Sequence, residues 1–565
     1  MQWNAELTHR GALPRRSAEP SCFAENQSLL RRGMGGRWAP GQLALWSSFW
    51  AAVLTAATLS AAELSDYTTP IFSGAANCAF CHDQWGRGLT DRQGTDVSIA
   101  KDWRGTMMAH AFKDPFWRAT MEAEVSENPQ LQGFIENKCQ KCHAPVARTQ
   151  AAADGTNELA FAVSKASPMA GEGVGCTLCH QVQATNLGTY ASFTGGYSIG
   201  EDRRIFGPYE DVITMPMQRH VDYTPQFGAH IEESALCATC HTLFTPIVAA
   251  DGKVTGEFPE QVPYLEWRNS DYPRRKQHCQ DCHLQRLDES IKVSSRPPWL
   301  QGRKPFWRHQ FVGGNSFMVS LLAKNAAALE ANADPDQFQP LIEKTREQLR
   351  KAANLRVAGK RKQDSLTLNV EVENLTGHKF PTGHPYRRAW LHVRVIDRED
   401  TTLFESGAVD DEGRIVGLQE DYPPHRDLIT RPEEVQVYQA VMGDANLQPT
   451  WSLLRAASYL KDNRLPPKGF QPSGQDADHI AVRGVEKDLN FHARGGGRDE
   501  VTYRIPLGAA KGRLTVEVEL LYQSVPPETV ARLLKSDKPA AKEFSAFYAL
   551  ANERPEQVQM KRVKF

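Results

Sequence analysis

One short pattern recurs five times in the first half of this 565-residue chain. In each copy two cysteines are separated by two residues and followed directly by a histidine, as in Cys78-Ala-Phe-Cys81-His82. The paired cysteines are Cys78 and Cys81, Cys139 and Cys142, Cys176 and Cys179, Cys237 and Cys240, and Cys279 and Cys282. The histidines that follow them are His82, His143, His180, His241 and His283. Ten of the 11 cysteines lie in these copies, so the pattern constrains almost every sulfur atom of the chain.

The pattern C-x-x-C-H is the attachment signature of c-type haem. Its two thiols add to the vinyl groups of the porphyrin, and the imidazole becomes the proximal ligand of the iron. A zinc site or a disulfide is the alternative, but zinc needs four ligands per metal and gives no reason for a histidine after every pair. The sequence therefore predicts five covalently attached haem c groups, with ten attachment cysteines and five proximal histidines.

Composition places the chain among globular proteins, with 41% apolar and 24% charged residues. Lys and Arg number 66 against 67 Asp and Glu, so there is no basic surplus and we expect no nucleic-acid partner. The length exceeds that of a usual single domain, which predicts two or three folded segments.

The first 62 residues resemble an export signal. Arg31 and Arg32 precede an apolar run over residues 43–57, and small residues at 60–62 offer a cleavage site. Met34 is a candidate for the true start. The sequence predicts a periplasmic, extracellular or cell-surface protein, with an uncleaved membrane anchor as the alternative. Because Cys22 would leave with the signal, the mature chain would hold no spare thiol, which suits an oxidising compartment.

The fold class predicted from the remaining pattern is α+β and multidomain. Residues 63–315, called the motif half below, are expected to form a mostly helical and irregular multihaem domain. Short helices are expected to carry the motifs, and Asp114-Pro115 has the cap and first residue of a helix start. Residues 316–360 are expected to be a connector of two helices, with Asp334-Pro335 opening the second.

Beyond residue 361 the apolar period changes from helical to alternating. Apolar residues occupy every second position in three stretches, namely Leu366 to Val372, Leu391 to Val395, and Leu514 to Leu520. Each stretch predicts a strand with one buried face, and together they predict a β-sandwich over residues 361–565. A helical insertion near 452–459 and a helical tail near 539–552 are also expected.

Low-spin electron-carrying haem iron needs a second axial ligand. The motif half offers His110, His220, His230 and His309 as candidate distal ligands, with Met107 and Met108 as rivals of His110. His378 is a further candidate, since the Gly- and Pro-rich loop Gly377-His378-Lys-Phe-Pro-Thr-Gly-His384-Pro would hold it rigidly. Each of these histidines has the alternative of being an ordinary surface or core residue.

Several segments resemble those of bacterial multihaem c-type cytochromes, in the superfamily of hydroxylamine oxidoreductase and its tetrahaem electron acceptor. They are the five motifs, Tyr264-Leu-Glu-Trp-Arg-Asn-Ser, His309-Gln-Phe-Val-Gly-Gly-Asn and Gly377-His-Lys-Phe-Pro-Thr-Gly. The resemblance covers about residues 63–385, and the β-sandwich less securely. It implies closely packed haems, mostly with two histidine ligands each, that pass electrons along a chain.

The leading hypothesis is therefore an exported pentahaem electron carrier between redox partner proteins, or from a quinol-oxidising membrane complex. One alternative is a multihaem oxidoreductase with one open iron that acts on a small nitrogen or sulfur compound. All five motifs end in histidine, whereas the active haem of ammonia-forming nitrite reductase has a lysine there, so no catalytic residue is predicted. A homo-oligomer, or a subunit of a respiratory complex or cytochrome filament, is the third hypothesis.

Overall fold

The computed structural model describes residues 63–83, 89–249, 251–418, 422–508, 510–551 and 554–565. The expected signal peptide, residues 1–62, lies outside these ranges. The described residues from Glu63 to Phe565 belong to one compact unit, so the motif half and the strands that follow it pack together. Within the described ranges, no helix combines the length and apolarity needed to span a membrane.

The motif half is built from short helices joined by turns. The helices are α1 Ala75–His82, α2 Ile99–Arg104, α3 Pro115–Glu127, α4 Gln132–His143, α5 Pro145–Ala153, α6 Phe161–Lys165, α7 Pro168–Gly171, α8 Cys176–Cys179, α9 Met215–Val221, α10 Ser234–Ala238, α11 Pro263–Arg268 and α12 Cys279–His283. The predicted start of α3 is confirmed, since the Asp114 carboxylate accepts hydrogen bonds from the backbone N–H groups of Phe116 and Trp117.

The motif half also contains three small two-stranded sheets. Their strands are β1 Arg204–Gly207, β2 Thr224–Phe227, β3 Leu243–Val248, β4 Val254–Gln261, β5 Arg286–Leu287 and β6 Phe306–Trp307. The β1–β2 pair is parallel, and the β3–β4 and β5–β6 pairs are antiparallel.

Two helices connect the motif half to the strands, as predicted. They are α13 Ser316–Lys324 and α14 Pro335–Ala352. Asp334 caps α14 in a capping box with Gln337. The apolar face of α14, formed by Phe338, Leu341, Ile342 and Leu349, is buried as its spacing predicts.

Residues 353–565, called the β-rich region below, form two larger sheets. The strands are β7 Ala353–Arg361, β8 Ser365–Asn374, β9 Arg388–Ile396, β10 Thr402–Ser406, β11 Leu428–Ile429, β12 Val437–Gly443, β13 Ser458–Asp462, β14 Arg498–Pro506, β15 Thr515–Gln523 and β16 Glu556–Lys564. One sheet has the order β13-β12-β9-β15-β16, with β10 also paired to β9, and the other has the order β11-β14-β8-β7.

One hydrophobic cluster receives side chains from both of these sheets. The alternating apolar residues predicted for β8, β9 and β15 all lie in it, including Leu368, Val393 and Val518. Burial of one face of each strand explains the period-two pattern of the sequence. The α+β fold with a β-rich C-terminal region is therefore confirmed.

The structure differs from expectation in three places. Strand β7 lies within the expected connector and begins eight residues before position 361. Residues 453–455 form a turn that leads to β13, in place of the expected helical insertion. The buried Glu124 carboxylate of α3 accepts from the N–H groups of Leu453 and Leu454, which fixes that turn against the motif half.

The third difference is at the C-terminus. Helices α15 Pro527–Leu533 and α16 Pro539–Tyr548 include the predicted helix near 539, but the chain then returns as β16. Strand β16 pairs antiparallel with β15 from Glu556 to Lys564. Its polar, basic sequence suits an edge strand that is paired on one side only.

Candidate haem-binding sites

All five motifs lie at or beside the end of a short helix. Helices α1, α4 and α12 end on the motif histidines His82, His143 and His283. Helix α8 ends at Cys179, one residue before His180, and α10 ends inside the fourth motif at Ala238. A helical turn places the first cysteine and the histidine four positions apart on one face, which a single porphyrin can span.

Backbone carbonyls orient four of the five motif imidazoles. The Nδ1 atoms of His82, His143, His180 and His283 lie 2.7, 2.9, 2.7 and 2.5 Å from the carbonyl oxygens of Val293, Ala111, Phe206 and Val312. Since a carbonyl only accepts, the hydrogen is on Nδ1 in each ring, and Nε2 keeps its lone pair. This tautomer is the one a proximal haem ligand needs.

Two motif histidines face a second imidazole. The ring centroids of His180 and His309 are 6.2 Å apart, with the ring planes inclined by 23°. Those of His283 and His378 are 6.3 Å apart, with the planes inclined by 20°. The Nδ1 atoms of His309 and His378 donate to the carbonyls of Trp307 and Lys379 at 3.0 and 2.9 Å, so their Nε2 lone pairs are also free.

These separations fit a metal between the two rings. A metal–imidazole bond is about 2.0 Å long and the ring centre lies about 1.1 Å beyond the nitrogen, so two rings on opposite sides of one metal have centres roughly 6 Å apart. The residues present therefore fit a haem iron held by His180 and His309, and another held by His283 and His378.

Desolvation by the surrounding protein keeps these imidazoles neutral. It lowers the pKa of His143 and His378 to about 4 and that of His309 to about 3. An imidazole binds a metal only as the neutral base, so these rings are available as ligands at neutral pH without first losing a proton.

Three other candidate distal histidines have different surroundings. His110 is buried with both nitrogens in hydrogen bonds, Nδ1 to the Thr106 carbonyl at 2.8 Å and Nε2 from the Asn332 N–H at 3.0 Å. His230 donates from Nε2 to the Val182 carbonyl at 2.8 Å. His220 is exposed, and its ring stacks on Phe80 of the first motif at 4.6 Å.

His384 lies in the same loop as His378, and the sequence offers both as candidate ligands. Its Nδ1 atom is buried without a hydrogen-bond partner. Desolvation lowers its pKa to about 3, and Arg387 and His143 oppose its protonation as well. The ring of His143 stacks in parallel on Trp117, with 4.3 Å between the ring centroids.

Cysteines of different motifs are neighbours. The Cys176 thiol is hydrogen-bonded with Cys78, which raises the pKa of Cys176 well above its usual range. Motifs one and three are therefore in contact. Corresponding contacts join motifs two and four through Cys142 and Cys240, and motifs four and five through Cys237 and Cys279. Burial, and to a lesser extent the charge of Cys240, raises the pKa of Cys179 to about 12, so motifs three and four interact electrostatically. All five motifs therefore belong to one connected set.

Another group of residues of metal-ligating type lies in the β-rich region. His425 Nε2 is 2.6 Å from Asp488 Oδ2 and 3.9 Å from Asp499 Oδ1. The side-chain amides of Gln436 and Asn463 donate to Nδ1 of His425 at 2.7 and 2.9 Å. Because Nδ1 accepts, Nε2 carries the hydrogen and donates to Asp488. In this arrangement the His425 ring donates to Asp488 and does not itself offer a lone pair to a cation.

Comparisons with known proteins agree with this geometry. Residues 77–181, which contain motifs one to three, match the family model described as cytochrome c554 and c-prime. The fold is similar to the crystal structure of a penta-haem cytochrome c552 from Thermochromatium tepidum, with a TM-score of 0.51 and 17% identity over 88% of this chain and 99% of that chain. No curated protein matches the chain.

The fold likeness extends well beyond the motif half, because it covers 88% of the chain. The family match covers the first three motifs, in which attachment cysteines and oriented imidazoles are both present. The first three motifs thus lie in the segment that matches this family model, and the fold of the chain is similar to that of a penta-haem cytochrome.

Proposed function

We propose that this protein is an exported electron carrier that holds five haem c groups through its five motifs. When bound, each haem supplies an iron that gains and loses one electron. The chain's own contribution is to attach, orient and desolvate these groups. Cys78 and Cys81 with His82, and the corresponding residues of the other four motifs, would perform the attachment and proximal ligation.

The observation that carries the proposal is the pair of facing imidazoles at two motifs. His309 opposite His180 and His378 opposite His283 would occupy both axial positions of an iron. Two imidazoles leave no position for a substrate, and they keep the iron's surroundings nearly constant between its two oxidation states. Sites of this kind suit electron transfer better than catalysis.

The contacts between motifs support a connected electron path. Motif one neighbours motif three, motif three neighbours motif four, and motif four neighbours both two and five. The proposed electron path therefore runs through motifs one, three, four and five. Motif two lies beside motif four. Electrons would enter and leave through redox partner proteins at its ends, in the periplasm or at the cell surface.

The β-rich region has a role in this proposal as well. Its two sheets share one hydrophobic cluster, which supports the expected β-sandwich. The loop from Leu375 to Arg387, between β8 and β9, carries His378 to the fifth motif and His384 toward the second. The sandwich would thus complete haem sites that the motif half begins.

The second candidate function, a multihaem oxidoreductase, would need an open iron. The motif histidines His82, His143 and His241 face no second imidazole in the described ranges, unlike His180 and His283. An open iron should therefore be sought at the first, second and fourth motifs.

Redox titration combined with electron paramagnetic resonance tests the proposal. For an electron carrier we expect several one-electron steps in the redox titration. We also expect low-spin ferric resonance signals that stay unchanged when nitrite, hydroxylamine or cyanide is added. A stoichiometric high-spin signal that responds to one of these compounds would contradict the electron-carrier function and support the oxidoreductase function.

A further inference from the structure

The loop that carries His378 contacts the motif half through Leu375 and Gly377. Gly377 lies so close to Trp267 and Tyr272 that a Cβ atom there would meet their rings at 3.2 and 3.3 Å. The Tyr272 hydroxyl donates to the Leu375 carbonyl at 2.7 Å. The loop is therefore packed against helix α11 and the turn that follows it.

A buried carboxylate from the motif half holds the loop at two points. Glu266, on α11, is fully buried. Its Oε2 accepts from the backbone N–H of Lys379 at 2.9 Å and from the Thr382 hydroxyl at 2.7 Å. Its Oε1 lies 3.4 Å from a guanidinium nitrogen of Arg464.

Three more buried charges complete the cluster. The Lys379 ammonium donates to Asp462 Oδ2 at 2.5 Å. The Arg464 guanidinium donates to both carboxylate oxygens of Asp462, each at 2.7 Å. Relative exposures are 0% for Glu266 and Lys379, 1% for Asp462 and 4% for Arg464. Two cations and two anions thus balance in a volume closed to water.

Such a cluster is an unusual way to stabilise a fold. Removing charges from water costs several kcal/mol per ion, and apolar residues of similar volume often stabilise a protein as well or better. The best-attested use of buried ionic groups is to specify one arrangement among alternatives. What the cluster specifies here is the position of the segment that contains Lys379 and Thr382.

Lys379 connects the cluster to the candidate ligand His378. Its N–H is held by Glu266, its ammonium by Asp462, and its carbonyl accepts from Nδ1 of His378 at 2.9 Å. Every polar group of Lys379 is therefore engaged, and one of them sets the orientation of the imidazole. A shift of Lys379 would rotate or withdraw the His378 ring.

We propose that Glu266, Lys379, Asp462 and Arg464 are positioning residues that fix the His378 imidazole opposite His283, and thereby set the axial ligation and the potential of the haem at the fifth motif. The inference rests on the proposed function, because it requires a haem at that motif. Ligand geometry is one of the means by which a protein sets a haem potential.

Lys379→Met tests the inference with little change in side-chain length. We expect full haem content, and a changed low-spin signal or a new high-spin signal from one haem in five, with a shift in one step of the redox titration. Lys461→Met is the matched control, since Lys461 is also fully buried and adjoins Asp462 in sequence, but donates to the Pro423 and Val437 carbonyls away from the loop. The control should leave all five haem signals unchanged.

A milder variant covers the case in which Lys379→Met does not fold. Thr382→Val removes one hydrogen bond to Glu266 without leaving a buried charge unpaired, and the same single haem should respond to a smaller extent. If either folded variant shows all five potentials and signals of the wild type, the inference is overturned. A wild-type protein without haem at the fifth motif, measured by peptide mass, would instead overturn the proposed function.

Discussion

The imidazole of His378 in the β-rich region faces that of His283 in the fifth motif, with 6.3 Å between the ring centroids. The two residues belong to different segments of the fold, α12 and the loop between β8 and β9. The pair of facing imidazoles therefore forms only when the β-rich region is packed on the motif half. Haem ligation and the packing of these two segments are expected to depend on each other.

Replacing His378 should open one axial position. In His378→Ala we expect about one fifth of the iron to become high-spin and to bind added imidazole, which restores the low-spin signal. Electron paramagnetic resonance with and without imidazole measures this. His392→Ala is a suitable control, since both ring nitrogens of His392 contact carboxylates, those of Glu519 and Glu405. Identical spectra for wild type and His378→Ala would exclude His378 as a ligand.

His309 and His110 should behave differently, although the sequence offers both as distal candidates. His309→Ala removes the ring opposite His180 and should convert one haem to high spin. His110→Ala removes two buried hydrogen bonds, to Thr106 and from Asn332, and should cost about 1–3 kcal/mol of stability without a new high-spin signal. The two variants are compared by the same spectroscopy and by denaturant unfolding. A high-spin haem in His110→Ala would contradict the ligand pairing.

Glu124 should make stability depend on pH. Burial raises its pKa from 4.5 to about 7, while Leu453, Ser452 and Leu454 donate to it. Between these values the folded state keeps a proton that the unfolded state has lost, so the free energy of unfolding falls as pH rises through this window. The contribution is present below pH 4.5 and disappears toward pH 7, with a total on the order of 3 kcal/mol.

Glu124→Gln cannot titrate and should flatten this part of the profile. It should also be less stable than wild type at low pH, because the amide nitrogen cannot accept the hydrogen bonds of the turn. Unfolding by denaturant at pH 5 and pH 8 gives both values. Ser126→Ala, at an exposed and uncharged position of the same helix, is the control. Parallel profiles for wild type and Glu124→Gln would show that the carboxyl does not titrate in this window.

Local patterns were enough to predict much of the fold. Alternation at Leu366 to Val372 predicts β8 because burial of one face selects every second residue, and Asp114-Pro115 predicts the start of α3 because capping is a local interaction. The turn after Ser452 was not predictable in this way. Its backbone donors are satisfied by Glu124, more than 300 positions earlier, and only the folded chain brings them together.

The candidate sites also have parts that local sequence predicts and parts that it does not. Attachment cysteines and proximal histidines lie within five consecutive residues, so their pattern is visible in the sequence. The second histidine of a facing pair comes from a distant segment, as His309 does for His180. The sequence could not distinguish His309 from His110, because the difference lies in which atoms contact Nε2.

Intact mass spectrometry of the exported protein, together with pyridine haemochrome absorbance, counts the haems attached to the chain. We expect a mass equal to the mature polypeptide plus five haem groups, and five haems per chain by absorbance. The polypeptide mass alone, obtained from a host able to attach haem, would show that the five motifs do not bind haem covalently.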